Sequence, residues 1–156
     1  MTEAEPDGAT DDVLLSQRIE RPQIQPYERR VRADGLLEEW SAVRVEFVDG
    51  ETRFLDQQPQ WRPVVMLSES DVEALEQVIA GVGFEELAGE HLPAGTSIGG
   101  SVVTWTATID GRSYEVVLNG APAVKLPEID AMALRFEQIV AGAMDRRREE
   151  QERRPD

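Results

Sequence analysis

The sequence predicts an α+β fold: a small antiparallel sheet of about five strands, in the order β-β-β-α-β-β-α, with two helices packed on one face. Three observations carry that expectation. Two Asp-Gly pairs, Asp49-Gly50 and Asp110-Gly111, sit between alternating apolar and polar residues, and such pairs tolerate the positive φ of a two-residue hairpin turn. Two longer segments, after Ser68 and after Pro127, repeat apolar residues every three or four positions, the period of an amphipathic helix. A 40% share of apolar side chains in 156 residues is enough for one core.

The elements follow in order. Residues 1–12 carry Glu3, Glu5, Asp7, Asp11 and Asp12 and no periodic apolar residue, so they bury too little to offset the entropy of ordering. From 13 to 32 apolar residues are sparse, and Pro22 and Pro26 block a helix. Residues 1–40 therefore read as a disordered or extended N-terminal arm, 41–144 as the α+β domain, and 145–156 as a charged helical tail.

The first hairpin spans 43–55. The Asp49-Gly50 turn sets Val48 opposite Glu51, Phe47 opposite Thr52, Glu46 opposite Arg53 and Val45 opposite Phe54. That register pairs apolar with apolar and acid with base, which a one-residue slip would destroy. Residues 63–67 read as a third strand. Ser68 is placed to cap the amide of Asp71, with Leu67 and Val72 as a hydrophobic staple. Val72, Leu75, Ile79 and Val82 form the buried stripe of the helix that follows. Gly81 or Gly83 ends it in the left-handed conformation, and Phe84 and Leu87 return to the core.

The second hairpin turns at Asp110-Gly111. It sets Ala107 opposite Tyr114, Trp105 opposite Val116 and Val103 opposite Leu118 on one face, with Thr108 opposite Ser113, Thr106 opposite Glu115 and Thr104 opposite Val117 on the other. The last helix starts near Pro127, a residue suited to the first helical position. Its stripe is Ile129, Met132, Ala133, Phe136, Ile139, Val140 and Ala143.

Composition narrows the function classes. With no cysteine, thiolate catalysis, Cys-ligated zinc and iron–sulfur clusters are excluded. No apolar run exceeds four residues and mean hydropathy is −0.40, so no membrane span is expected. The acidic, polar start does not resemble a secretory signal, and the expected compartment is the cytoplasm. Thirty-one acids against 16 bases give a formal charge of −15, which repels a phosphate backbone, so no nucleic-acid partner is expected.

Reactive constellations are weak. His91 is the sole histidine; Ser97 and Ser101 are the candidate nucleophiles near it, but no G-x-S-x-G elbow is present. Glu85, Glu86 and Glu90 are the nearby acids for a hydrolase or metal site centred on His91, the alternative reading, although no metal-binding spacing occurs. The Gly95-to-Gly100 segment precedes a strand, not a helix, and so fails as a phosphate cradle. No catalytic residue, metal or cofactor is assigned.

The most unusual feature is a charge void. From 63 to 111 there is no Lys or Arg, while Glu69, Asp71, Glu73, Glu76, Glu85, Glu86, Glu90 and Asp110 all fall there. Glu69 and Glu73, and Glu73 and Glu76, repel at helical spacing, so helix stability does not favour the pattern. The leading expectation is a non-catalytic acidic protein-binding module, an accessory subunit or inhibitor. It would hold a partner with a basic surface through Glu69, Glu73, Glu76, Glu85, Glu86 and Glu90, with Trp61 as an aromatic anchor. Trp40 and Trp61, flanking the first hairpin, are either core or interface.

A family resemblance bears on the same question. A strand leading into Leu67-Ser68-Glu69-Ser70-Asp71, then Leu75 and Ile79, Gly83-Phe84-Glu85-Glu86-Leu87, a hairpin around Trp105 and Tyr114, and a helix after Pro127 together cover 43–140. This stretch resembles the emfourin family of small cytoplasmic inhibitors of thermolysin-like metalloproteases. The resemblance implies inhibition of such a protease as another alternative function.

Overall fold

In a computed structural model describing residues 13–22, 24–41, 44–56, 60–92, 100–121, 124 and 126–153, most strands join one mixed sheet. The strands are β1 (Val13–Arg21), β2 (Ile24–Arg32), β3 (Leu36–Ser41), β4 (Arg44–Val48), β5 (Glu51–Asp56), β6 (Gln60–Met66), β7 (Gly89–His91), β8 (Ser101–Ile109) and β9 (Arg112–Ala121). The helices are α1 (Glu69–Gly81), α2 (Phe84–Leu87) and α3 (Pro127–Arg153). Seven strands run in the order β6-β3-β2-β1-β8-β9-β7, and β4-β5 form a separate two-stranded sheet. Only β7 against β9 is parallel.

The fold is α+β, but the sheet exceeds the five strands expected. The difference lies mainly in 13–41, read from sequence as part of an arm. These residues are extended, yet they supply β1, β2 and β3; residues 1–12 lie outside the described residues. Cross-strand pairing explains why sparse apolar residues suffice. Val65 faces Leu37, Leu37 faces Val31, Val31 faces Leu15, and Leu15 faces Ala107, so one apolar residue per strand makes a continuous buried row. Each large side chain in that row contributes about 1.5–3 kcal/mol by burial. The prolines fit the same arrangement. Pro22 lies in the turn between β1 and β2, and Pro26 lies within the register shift between Ile19 and Arg21, before β3 begins to pair at Glu28. Its missing N–H therefore interrupts no β2–β3 ladder bond.

The β2–β3 turn requires glycine at Gly35. Its φ is +100°, and a Cβ there would stand 2.8 Å from the carbonyl oxygen of Leu67. That contact is part of the design, since the Leu67 amide donates to the Gly35 carbonyl at 2.9 Å. The turn thereby ties β3 to the start of α1.

The Asp49-Gly50 hairpin has the expected register, Val48 opposite Glu51 through Val45 opposite Phe54, but it stands outside the main sheet; Val43 is not among the described residues. Phe47 on it is 77% exposed. The third expected strand is β6, which starts earlier than 63 and forms an edge. Pro63 lies on that edge, and Arg147 of α3 donates to the Val64 carbonyl. The opposite edge, β7, is only three residues long. Both edges are thus poor templates for further strand addition.

α1 begins as the sequence indicates. Ser68 Oγ accepts from the Asp71 amide at 3.1 Å, and the Asp71 carboxylate accepts from the Ser68 amide at 3.1 Å, a reciprocal cap. Gly83 is the left-handed residue beyond its end, with φ 71°. Phe84 is fully buried in α2. The β8–β9 register matches every expected pair from Val103 opposite Leu118 to Thr108 opposite Ser113.

α3 runs through 145–153 without a break, so the charged tail continues the domain's own helix. It is tied down by the Arg146–Asp71 ion pair to α1 and by Arg147 on β6. Of its expected stripe, Ile129, Met132, Phe136, Ile139 and Ala143 are buried, and Ala133 and Val140 are partly buried against the core. Phe136 meets Trp105 edge-on, with ring centroids 5.8 Å apart, which places α3 on the sheet face that carries Leu15, Val31, Leu37, Trp105 and Ala107. The alternate residues of each strand point to the other, helix-free face.

Leu15→Ala is expected to lower unfolding stability by about 2–5 kcal/mol, whereas Phe47→Ala should change it by no more than about 0.5 kcal/mol. Urea unfolding of both variants measures the difference; a reversed order would contradict this packing.

Candidate functional site

The acids expected to bind a partner occupy α1, α2 and β7. Glu69, Glu73, Glu76, Glu85, Glu86 and Glu90 are all exposed. Those of α1 and α2 are presented by helices whose other sides carry buried Leu75, Ile79 and Phe84, so the apolar residues that build the core also turn these acids outward. The surface extends to the β8–β9 turn, because Glu76 and Asp110 line the same shallow depression beside Ile79 and Ile109. Glu90 accepts from Asn119 Nδ2 at 2.7 Å, which links β7 to β9. Of the acids in the charge void, Asp71 is the one with an ion pair among the described residues, to Arg146.

Charge is segregated across the sheet. β1, β2, β3 and β6 carry Arg18, Arg21, Arg29, Arg30, Arg32 and Arg62, whereas β7, β8 and β9 carry only Arg112. The arginines of the sheet are thus concentrated on one side of it, together with Glu20, Glu28, Glu38 and Glu39.

Trp61 does not join the acidic surface. It lies on β6, at the opposite edge of the seven-stranded sheet from Glu90 on β7, about 29 Å away at ~4.8 Å per strand. It also faces the helix-free side. There it packs against Trp40, its direct cross-strand partner, with centroids 5.5 Å apart and planes at 61°. The Arg30 guanidinium stacks 3.8 Å from the Trp61 centroid. Both tryptophans are half-buried, part of a cation–aromatic assembly instead of a free anchor.

His91 Nε2 and the Leu87 carbonyl are 2.7 Å apart, so the ring donates to main chain and braces α2 against β7. Among the described residues, no group of three His, Cys, Asp or Glu side chains is placed to hold a metal ion. Ser97 lies outside the described residues, as does most of the Gly95-to-Gly100 segment.

A polar row that composition alone does not reveal crosses the helix-facing side. Arg62 pairs with Glu39, Glu39 with Arg29, and Arg29 with Gln17 along the register. Arg29 lies over Phe136 at 4.9 Å and over Tyr27 at 5.9 Å, and it is ion-paired with Glu137. Tyr27 donates to Glu39 Oε2 at 2.7 Å. Burial first, and this bond to a carboxylate second, push the Tyr27 phenol well above its ordinary range, against a smaller opposing effect of Arg29. The cluster signals itself in sequence only as polar residues at inward strand positions.

No helix among the described residues is long and apolar enough to cross a membrane. Comparison with models of known protein families and with curated proteins finds no match.

Two outcomes are expected. Glu73→Gln removes two like-charge neighbours on an exposed helix face and should raise stability by about 0.2–0.5 kcal/mol in chemical unfolding. Ultraviolet titration should show a phenol ionising later than free tyrosine, absent in Tyr27→Phe. Because the folded-state value is raised, its stabilising contribution is intact below the ordinary tyrosine pKa of about 10 and is lost as pH climbs beyond it.

Proposed function

We propose that this protein is a non-catalytic binding module that docks a basic protein surface through the acids of α1, α2 and β7, as an accessory subunit or inhibitor. The observation that supports the reading is the one-signed surface itself. Glu69, Glu73, Glu76, Glu85, Glu86 and Glu90 are all solvent-exposed, in a stretch of chain without Lys or Arg. On α1 the repulsion of Glu69 with Glu73 and of Glu73 with Glu76 costs helix stability, so the arrangement is better accounted for by a partner's charge than by the fold. A rigid scaffold bearing such a field raises association rates and orients the encounter. Trp61, on the other face, is not part of this docking surface.

The emfourin resemblance supplies a trial partner, a thermolysin-like metalloprotease, whose peptidase activity reports engagement directly. The full chain and a variant with Glu69, Glu73 and Glu76 all replaced by Gln should be compared as binders of the captured partner. The wild-type affinity is expected to fall steeply with added salt, and the variant to bind at least about tenfold more weakly at low salt with a flatter salt dependence. Equal binding by the two proteins, or salt-independent binding, would overturn the reading.

A further inference from the structure

We infer that Asn119 is a modification site: deamidation of its side chain turns the bond that fastens β7 to β9 into a repulsion between carboxylates and releases β7. The inference does not depend on the docking role of the acids. Asn119 is the sole asparagine in the chain, and a glycine follows it. Gly120 has φ +105° and falls at the shift in the β8–β9 register, where Val102 faces Asn119 and Ser101 faces Ala121. It therefore has no residue opposite it on β8. On the other side, β7 stops pairing at Leu118. Such an extra residue sits outside the regular ladder, and a glycine has no side chain to shield its own main-chain nitrogen.

The reaction needs only water. The Gly120 main-chain nitrogen attacks Cγ of Asn119 and gives up its proton to solvent hydroxide. The new C–N bond closes a cyclic imide as Nδ2 takes a proton from water and leaves as ammonia. Water then opens the imide to aspartate or isoaspartate, so that one water is consumed, one ammonia is released, and nothing is oxidised or reduced. The consequence follows from the contact that Asn119 makes. Its Nδ2 donates to Glu90 Oε2 at 2.7 Å, a bond to an ionised acceptor. Exchanging amide for carboxylate removes the donor and sets two like charges in one slot. No Lys or Arg lies between 63 and 111 to bridge them from β7 or α2. His91, the next residue, points to the other face of β7, where its Nε2 meets the Leu87 carbonyl. β7 has three residues with which to resist the repulsion. Its release uncovers the outer edge of β9 at 116–118, an unpaired strand edge.

The test ages the full chain in mildly alkaline buffer beside a free peptide of residues 116–123, and reads peptide mapping by mass spectrometry together with hydrogen exchange. Asn119 is expected to convert at no less than about one hundredth of the peptide's rate, a factor set by local opening at the end of the sheet. In the aged chain and in Asn119→Asp, the amides of β7 should exchange at least about tenfold faster than in the fresh wild type, while those of β8 keep their protection. Asn119→Gln retains an amide donor on a side chain too long to close the imide readily, and should hold β7 through the same incubation. The inference is overturned if Asn119 converts more slowly than that limit while the peptide reacts, or if β7 is as protected in Asn119→Asp as in the wild type.

Discussion

The antiparallel pairing of β1 with β8 joins two strand systems that have no other sheet contact. On one side lie β2, β3 and β6; on the other lie β9 and β7. Leu15 opposite Ala107 and Gln17 opposite Trp105 form the seam, and both Leu15 and Ala107 are essentially inaccessible to water. This contact joins residues far apart in sequence, so its loop-closure entropy must be offset by the apolar row that it completes. α3 then crosses the seam on the helix-facing side. Phe136 packs on Trp105 of β8 while the neighbouring Glu137 pairs with Arg29 of β2.

The seam also organises charge. The arginines of β1, β2 and β6 and the acids of α1, α2 and β7 belong to separate stretches of the chain. On the arginine side the charges are largely spent internally. Arg18 holds Glu28, Arg30 and Arg32 share Glu38, and Arg29 holds Glu137. Among the described residues, the acids of α1, α2 and β7 have no such partner apart from Asp71, which leaves their field uncompensated there.

Local features of this fold were legible in the sequence, and non-local ones were not. Asp49-Gly50 and Asp110-Gly111 fix both hairpin registers residue by residue, and Ser68 with Asp71 fixes the start of α1, because each depends on neighbours a few positions away. β1, β2 and β3 were hidden. Their inward positions include Gln17, Tyr27, Arg29 and Glu39, which form their own polar row and break the apolar alternation that marks a strand. Local register also says nothing of where a hairpin docks, so β4-β5 reads like a member of the main sheet. β7 is too short to carry a pattern, and its parallel partner β9 lies beyond β8 in the chain. The exposure of Glu69, Glu73 and Glu76 follows from the helical period of α1. The separation of Trp61 from Glu90 follows from strand order, and its place on the helix-free face from pairing with Trp40; no local spacing encodes either.

Native-state hydrogen exchange across the seam tests this account most directly. The main-chain amides of β1 between Leu15 and Ile19 and those of β8 between Val103 and Ala107 should exchange together, at the slow limit set by global unfolding. Rapid exchange of the β1 amides, with β8 and β9 still protected, would mean that the first strand is a detachable arm and that the two halves are not one body.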